Sequence, residues 1–168
     1  MVRIRAPMTS TRRWITVAVA LVGAALAALS VQVGAWWQVD PGILIGPRGS
    51  RHCFDGECRR GTLGWLRGSS TWELAGTLAF ASALVLAAIL VFTAGALAAR
   101  RHPHQVARST WVAITLCLVS GAGFFLAFPG LAGAHAAWGP LALVGAITCA
   151  AVTATSILRA PPPPAAAA

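Results

Sequence analysis

Cys53-Phe54-Asp55-Gly56-Glu57-Cys58 stands in the middle of the only long polar segment of this 168-residue chain, and it specifies a hairpin. Asp-Gly is a preferred pair for the two-residue type I′ turn, whose central residues both need φ > 0. With that turn, Phe54 and Glu57 become the first, hydrogen-bonded pair of a β-hairpin, and Cys53 and Cys58 the next, non-hydrogen-bonded pair. Cα atoms in such a pair lie roughly 4.5 Å apart. That falls inside the range of about 4.4–6.8 Å that a disulfide tolerates. A Cys53–Cys58 bond is therefore expected wherever the compartment is oxidising. Closing so short a loop contributes only about 2 kcal/mol by chain entropy, so the bond is expected to hold the hairpin's register rather than the whole fold.

Around the hairpin runs a polar loop, residues 38–73. Ile43-Leu44-Ile45, between Pro41-Gly42 and Gly46-Pro47, reads as a further strand. Strands at about 43–46, 50–54 and 57–62 make a small sheet, with Trp65 and Leu66 expected beneath it. On either side the chain turns apolar. Residues 14–37 carry no charge over 24 residues, which is roughly 36 Å of helix and enough to span a bilayer. A secretory signal has a shorter apolar region, about 7–15 residues, so this run is read as a span. Residues 74–99 form a second uncharged run, closed by Arg100 and Arg101. From Ser109 to Leu158 there are fifty residues without Lys, Arg, Asp or Glu. That is too long for one crossing, and Pro129, Gly130 and Gly133 supply a break.

The expected fold is thus an all-α membrane protein, a four-transmembrane-helix bundle with a small disulfide-pinned β-hairpin or sheet in the first extracytoplasmic loop. The whole chain, 1–168, forms a single domain with helices at about 14–37, 74–99, 110–128 and 136–158. A disordered, Pro- and Ala-rich tail covers 160–168. Composition agrees, with 57% hydrophobic and only 10% charged residues, whereas soluble domains carry about 25% charge. Small residues matter for helix packing in lipid. Ala142, Ala146, Ala150 and Ala154 make a ridge at four-residue spacing, and Gly123 with Ala127, Gly95 with Ala99, and Ser30 with Gly34 are further small pairs. A compact left-handed bundle is expected.

Two features orient the chain. Trp14, Trp36, Trp37, Trp72, Trp111 and Trp138 fall at expected helix ends, where an apolar ring with one N–H favours the headgroup region. All thirteen basic residues are Arg. Eight of them lie in the N-terminus, second loop and tail, against five in the long loop. By the positive-inside rule both termini are cytoplasmic and the loop 38–73 is outside. The Ala- and Arg-rich usage points to a GC-rich bacterial genome, hence to a bacterial inner (plasma) membrane.

The same inventory weighs against several functions. A net charge of +9 is confined to the borders of apolar runs, which is topology rather than nucleic-acid binding. The four acids, Asp40, Asp55, Glu57 and Glu73, lie in or beside the long loop. The expected spans hold no ionisable side chain besides two cysteines, so an ion or proton relay at membrane depth has no carrier. No His lies inside a span to ligate haem, and His102 and His104 sit in a basic loop. Zinc at His52, Cys53 and Cys58 lacks a Cys-x2-Cys pair and a fourth ligand. No cofactor is expected. Cys117 and Cys149, mid-span, read as small hydrophobes.

Trp36 and Trp37 leaving the first helix, the Cys53 and Cys58 pair, Arg59 to Leu66 leading into the second helix, a basic second loop and a short third loop together resemble the claudin and peripheral-myelin-protein superfamily. A Gly-Leu-Trp triplet is replaced here by Gly49-Ser50-Arg51-His52 before Cys53. The chain also looks like small four-helix membrane proteins of GC-rich bacteria with a similar loop. The resemblance implies adhesion or membrane organisation.

The functional expectation is a non-enzymatic integral membrane protein. It sits in the lipid bilayer and meets a protein partner, or another copy of itself, through Phe54, Asp55 and Glu57 at the tip and Arg51, Arg59 and Arg60 beside it. Two other readings stand beside this one: a membrane thiol–disulfide oxidoreductase using Cys53 and Cys58, and an accessory subunit of a larger membrane complex.

Overall fold

The computed structural model describes residues 9–39, 42–65, 69–101 and 104–160. The expectations for the tail 161–168, for Pro41 and for Leu66 lie outside these residues. Four helices dominate: α1 (Ser10–Gln32), α2 (Ser69–Ala98), α3 (His104–Leu126) and α4 (Gly139–Leu158). Each is long and apolar enough to cross a membrane. Neighbours in sequence are neighbours in space, α4 closes against α1, and α2 barely meets α4 across the diagonal.

The α1–α4 seam is made of small residues. Ala142, Ala146, Ala150 and Ala154 are all buried, and from α1 so are Ala20, Gly23, Ala24 and Ala27. A Cβ on Gly23 would stand 2.7 Å from Cys149 Cβ and 3.4 Å from the Ala146 carbonyl oxygen, so the two backbones approach closely. Close approach of two backbones over small residues maximises their dispersion contact. Between α2 and α3 the contact is partly polar: Ser82 Oγ and Ser120 Oγ share a hydrogen bond of 2.9 Å. The expected small pairs at Gly95 and Gly123 are not part of any seam, because a Cβ at either position meets nothing within 4 Å.

A five-stranded antiparallel sheet covers one end of the bundle. Its strands are β1 (Trp37–Val39), β2 (Ile43–Gly46), β3 (Gly49–Phe54), β4 (Glu57–Gly61) and β5 (Ala134–Ala136), in the order β4-β3-β2-β1-β5. The three expected strands are present within a residue at each end. Two are additions. β1 forms because α1 stops at Gln32 instead of running on to Trp37, and β5 comes from the third loop, where Ala134–Ala136 pairs with Val39–Trp37. The helix boundaries shift accordingly. α1 starts at Ser10, where the Thr9 hydroxyl caps it by accepting from Arg12 N–H. α2 and α3 begin several residues before their uncharged runs, and α4 begins at Gly139 with Pro140 in its first turn.

Aromatic residues fasten the sheet to the helices. Trp36 is 1% exposed and Trp72 3% exposed, so neither lies at a lipid interface as expected from their positions. Trp36 meets Phe124 edge-on at 5.3 Å, and Trp72 stacks on the same ring at 4.7 Å. Trp37 stacks between Phe125 and Phe128, at 4.6 and 4.3 Å. Such pairs contribute about 0.5–1.5 kcal/mol each beyond their burial. The indole N–H groups are spent inward as well: Trp36 Nε1 donates to the Ser30 carbonyl at 3.0 Å and Trp72 Nε1 to the Phe124 carbonyl at 2.7 Å. Ser30 Oγ donates to the Gly139 carbonyl at 2.8 Å, which ties the ends of α1 and α4 together. Trp14, Trp111 and Trp138 are exposed.

Candidate functional site

The β3–β4 hairpin has the geometry that Asp-Gly dictates. Asp55 has φ 50° and Gly56 φ 84°, both in the left-handed region that a type I′ turn needs. Phe54 pairs with Glu57 and Cys53 with Cys58 in the register. The two cysteines form a disulfide across Cα atoms 4.1 Å apart. A one-residue slip would separate them, so the bond fixes which side chains share a face.

Of the six expected contact residues Asp55 lies in the turn, and side-chain alternation divides the other five into two groups. Arg51 and Arg60 are directly opposite each other and lie on the face that carries the disulfide. Phe54 and Glu57 are opposite each other on the other face, together with Arg59, which is opposite His52. Phe54 is 48% exposed. Asp55, Glu57, Arg59 and Arg60 are exposed and Arg51 is half-buried. Arg59 Nη2 stands 3.7 Å from Glu57 Oε2, but both side chains are at least 80% exposed, so water screens most of that attraction. β4 is exposed along its whole length and is an edge strand of the sheet.

Beneath the hairpin, toward the bundle, lies a polar clasp that the sequence did not single out. Ser50 is only 4% exposed. Its Oγ meets His52 Nε2 at 3.0 Å, the Thr62 carbonyl oxygen at 3.2 Å and Trp65 Nε1 at 3.2 Å. One hydroxyl proton and two lone pairs satisfy all three partners when the Thr62 carbonyl accepts from Ser50 and His52 Nε2 carries a proton. Trp65 also meets His52 edge-on at 5.6 Å. Trp65 thus meets the sheet through Ser50 and His52 but stays exposed, and does not lie beneath the sheet as expected. A serine beside a histidine invites comparison with a nucleophile and its base. This hydroxyl is buried and its capacity is used in full, so it acts as a fastener between β3 and the chain leaving β4. Only one part of it had a local signal: Ser50 and His52, two apart in a strand, share a face.

Cys117 is buried on α3 and Cys149 is partly buried on α4, both as free thiols. Among the described residues, no three His, Cys, Asp or Glu side chains gather as a metal-holding group. No family model, curated protein or solved structure matches this chain.

Proposed function

We propose that the chain is a four-span integral membrane protein, non-enzymatic, that presents the β3–β4 hairpin outside the membrane as a contact surface for a protein partner or another copy of itself. Adhesion or membrane organisation is the corresponding role. The observation that carries this is the hairpin tip: an apolar ring, Phe54, and charged side chains held exposed on a strand pair whose register is covalently locked. Preorganisation of this kind lowers the entropy lost on binding. The layout the claudin resemblance implies, four helices and a small sheet with one disulfide from the first long loop, supports the same role. The bacterial inner membrane and cytoplasmic termini remain part of this proposal, on the Arg distribution.

The experiment is affinity capture in mild detergent after cross-linking in whole cells, comparing the wild type with Phe54→Ala combined with Glu57→Arg. A discrete adduct that the double variant loses supports the reading, whether it contains another protein or a second copy. Equal recovery by both, or no adduct at all, contradicts it.

One observation favours a second reading. Cys58 is exposed and Cys53 half-buried, so thiols in solution reach the disulfide. A membrane thiol–disulfide oxidoreductase requires that bond to be labile. Titration against glutathione separates the two: a structural bond has a potential below about −300 mV and stays closed, whereas a catalytic couple opens. The accessory-subunit reading predicts a stoichiometric complex in the same capture experiment.

A further inference from the structure

The end of α1 and the sheet enclose a cleft of about 150 Å³. Residues 31–35 form one wall, and residues 44–46, 48–51 and 60–61 form the rest. Gly34, Gly46, Gly49 and Gly61 bring no side chain into it. Arg48, Arg51 and Arg60 are among its lining residues, and among the described residues no Asp or Glu lines it.

Arg48 is placed by neutral groups. Arg48 Nη1 donates to Gln32 Oε1 at 3.0 Å, and its guanidinium lies 4.9 Å from the centre of the Phe80 ring. Both contacts fix its direction and leave its charge uncompensated. Arg51 and Arg60 are directly opposite across β3 and β4, a like-charge arrangement that costs stability in a sheet. Among the described residues neither has a carboxylate partner; the ion pair of this hairpin belongs to Arg59, on the opposite face. The disulfide next to the pair holds the two strands in the register that keeps the charges together.

We infer that this cleft binds a phosphate group, with Arg51 and Arg60 as paired ligands and Arg48 as the third cation. Planar guanidinium forks match phosphate oxygens bidentately, and such charge-assisted bonds are stronger than neutral ones. Three arginines lining one cleft offer more donors than the two oxygens of one carboxylate accept. A phosphate between Arg51 and Arg60 turns their repulsion into two attractions, which accounts for a like-charge pair facing a cleft. The wall formed by the end of α1 sets the site where an apolar helix finishes. That suits the headgroup phosphate of an anionic phospholipid, and a free phosphate reaches the same cleft from water. The lipid source rests on the four-span reading; the phosphate site itself does not.

The test uses the full chain purified in a phosphate-free maltoside detergent. Calorimetry follows two probes separately, inorganic phosphate and a short-chain phosphatidylglycerol. Wild type is expected to bind at least one. A preference for the lipid identifies a headgroup site, and equal binding of phosphate identifies a site for the free anion. Arg51→Gln with Arg60→Gln is expected to weaken binding at least about tenfold, the loss of charge-assisted hydrogen bonds. Arg59→Gln, on the other face, is expected to leave binding of both probes unchanged. Without ligand the double variant is expected to melt no lower than wild type; a lower melting point marks the pair as structural and overturns the site. If the double variant does not form its disulfide, Arg60→Gln alone, on the exposed edge strand, carries the same expectation. Failure of wild type to bind either probe, or an equal loss in Arg59→Gln, also overturns the inference. Neither result bears on capture of a partner through Phe54 and Glu57.

Discussion

Ser50 and Gly139 are small residues with large consequences. Ser50→Ala leaves Trp65 Nε1, His52 Nε2 and the Thr62 carbonyl without their common partner. Trp65 and Thr62 are exposed and His52 is half-buried, so water takes up part of the loss, and the expected cost is about 0.5–1.5 kcal/mol, the net worth of an ordinary hydrogen bond. Denaturant titration of the purified protein is expected to show that loss, with the disulfide still formed. Gly139 sits where α4 begins against the end of α1. A Cβ there would stand 2.6 Å from the Ala35 carbonyl oxygen and 2.5 Å from Trp36 Cδ1. The backbone atom cannot turn aside, so Gly139→Ala is expected to cost about 1–3 kcal/mol in the same assay. The hairpin turn was fully legible in the sequence because Asp55-Gly56 acts locally, through two φ angles and the register that follows. The Ser50 clasp depends on Trp65 and Thr62 folding back from beyond β4, and no local pattern announces that return.

At the scale of elements, the ridge of α4 and the exposed glycines of α2 and α3 make opposite predictions. Ala146 is buried in the seam with α1, and Ala146→Leu overpacks it at about 1–3 kcal/mol. Gly95→Ala and Gly123→Ala add a methyl to open space and replace a poor helix former, a gain of up to about 1 kcal/mol each. Thermal melts of the three variants in one detergent order them; a destabilised Gly95→Ala would mean that α2 packs on something further. The four helices were readable from uncharged length alone, since that quantity separates spans from loops. Their ends were not. Residues 33–37 continue the uncharged run of α1, and periodicity does not separate a helix end from a strand in such a run. What ends α1 is tertiary: Trp36 N–H donates to the Ile45 carbonyl, and the Trp36 carbonyl accepts from Ala137 N–H. The same distance in sequence hid β5, three residues whose partners lie some hundred positions earlier. Trp36 and Trp72 were assigned to the membrane surface from their positions, and their burial against Phe124 reflects partners that position does not reveal.

For the whole molecule, the account joins four apolar helices to one sheet at one end. The sheet draws on both loops at that end, since β1–β4 come from the first and β5 from the third, and the aromatic contacts seat it on the bundle. The other end carries the Arg residues beside α1, α2 and α3. A membrane around the helices therefore separates a disulfide-locked sheet from a basic surface. The proposed partner contact requires the sheet to face outward. Labelling in intact cells with a membrane-impermeant maleimide tests this directly, using Thr62→Cys at the sheet and Ala99→Cys at the opposite end of α2, both at exposed positions. The account predicts that Thr62→Cys is labelled in intact cells and Ala99→Cys only after lysis. Labelling of Ala99→Cys from outside, or of both positions alike without lysis, would contradict it.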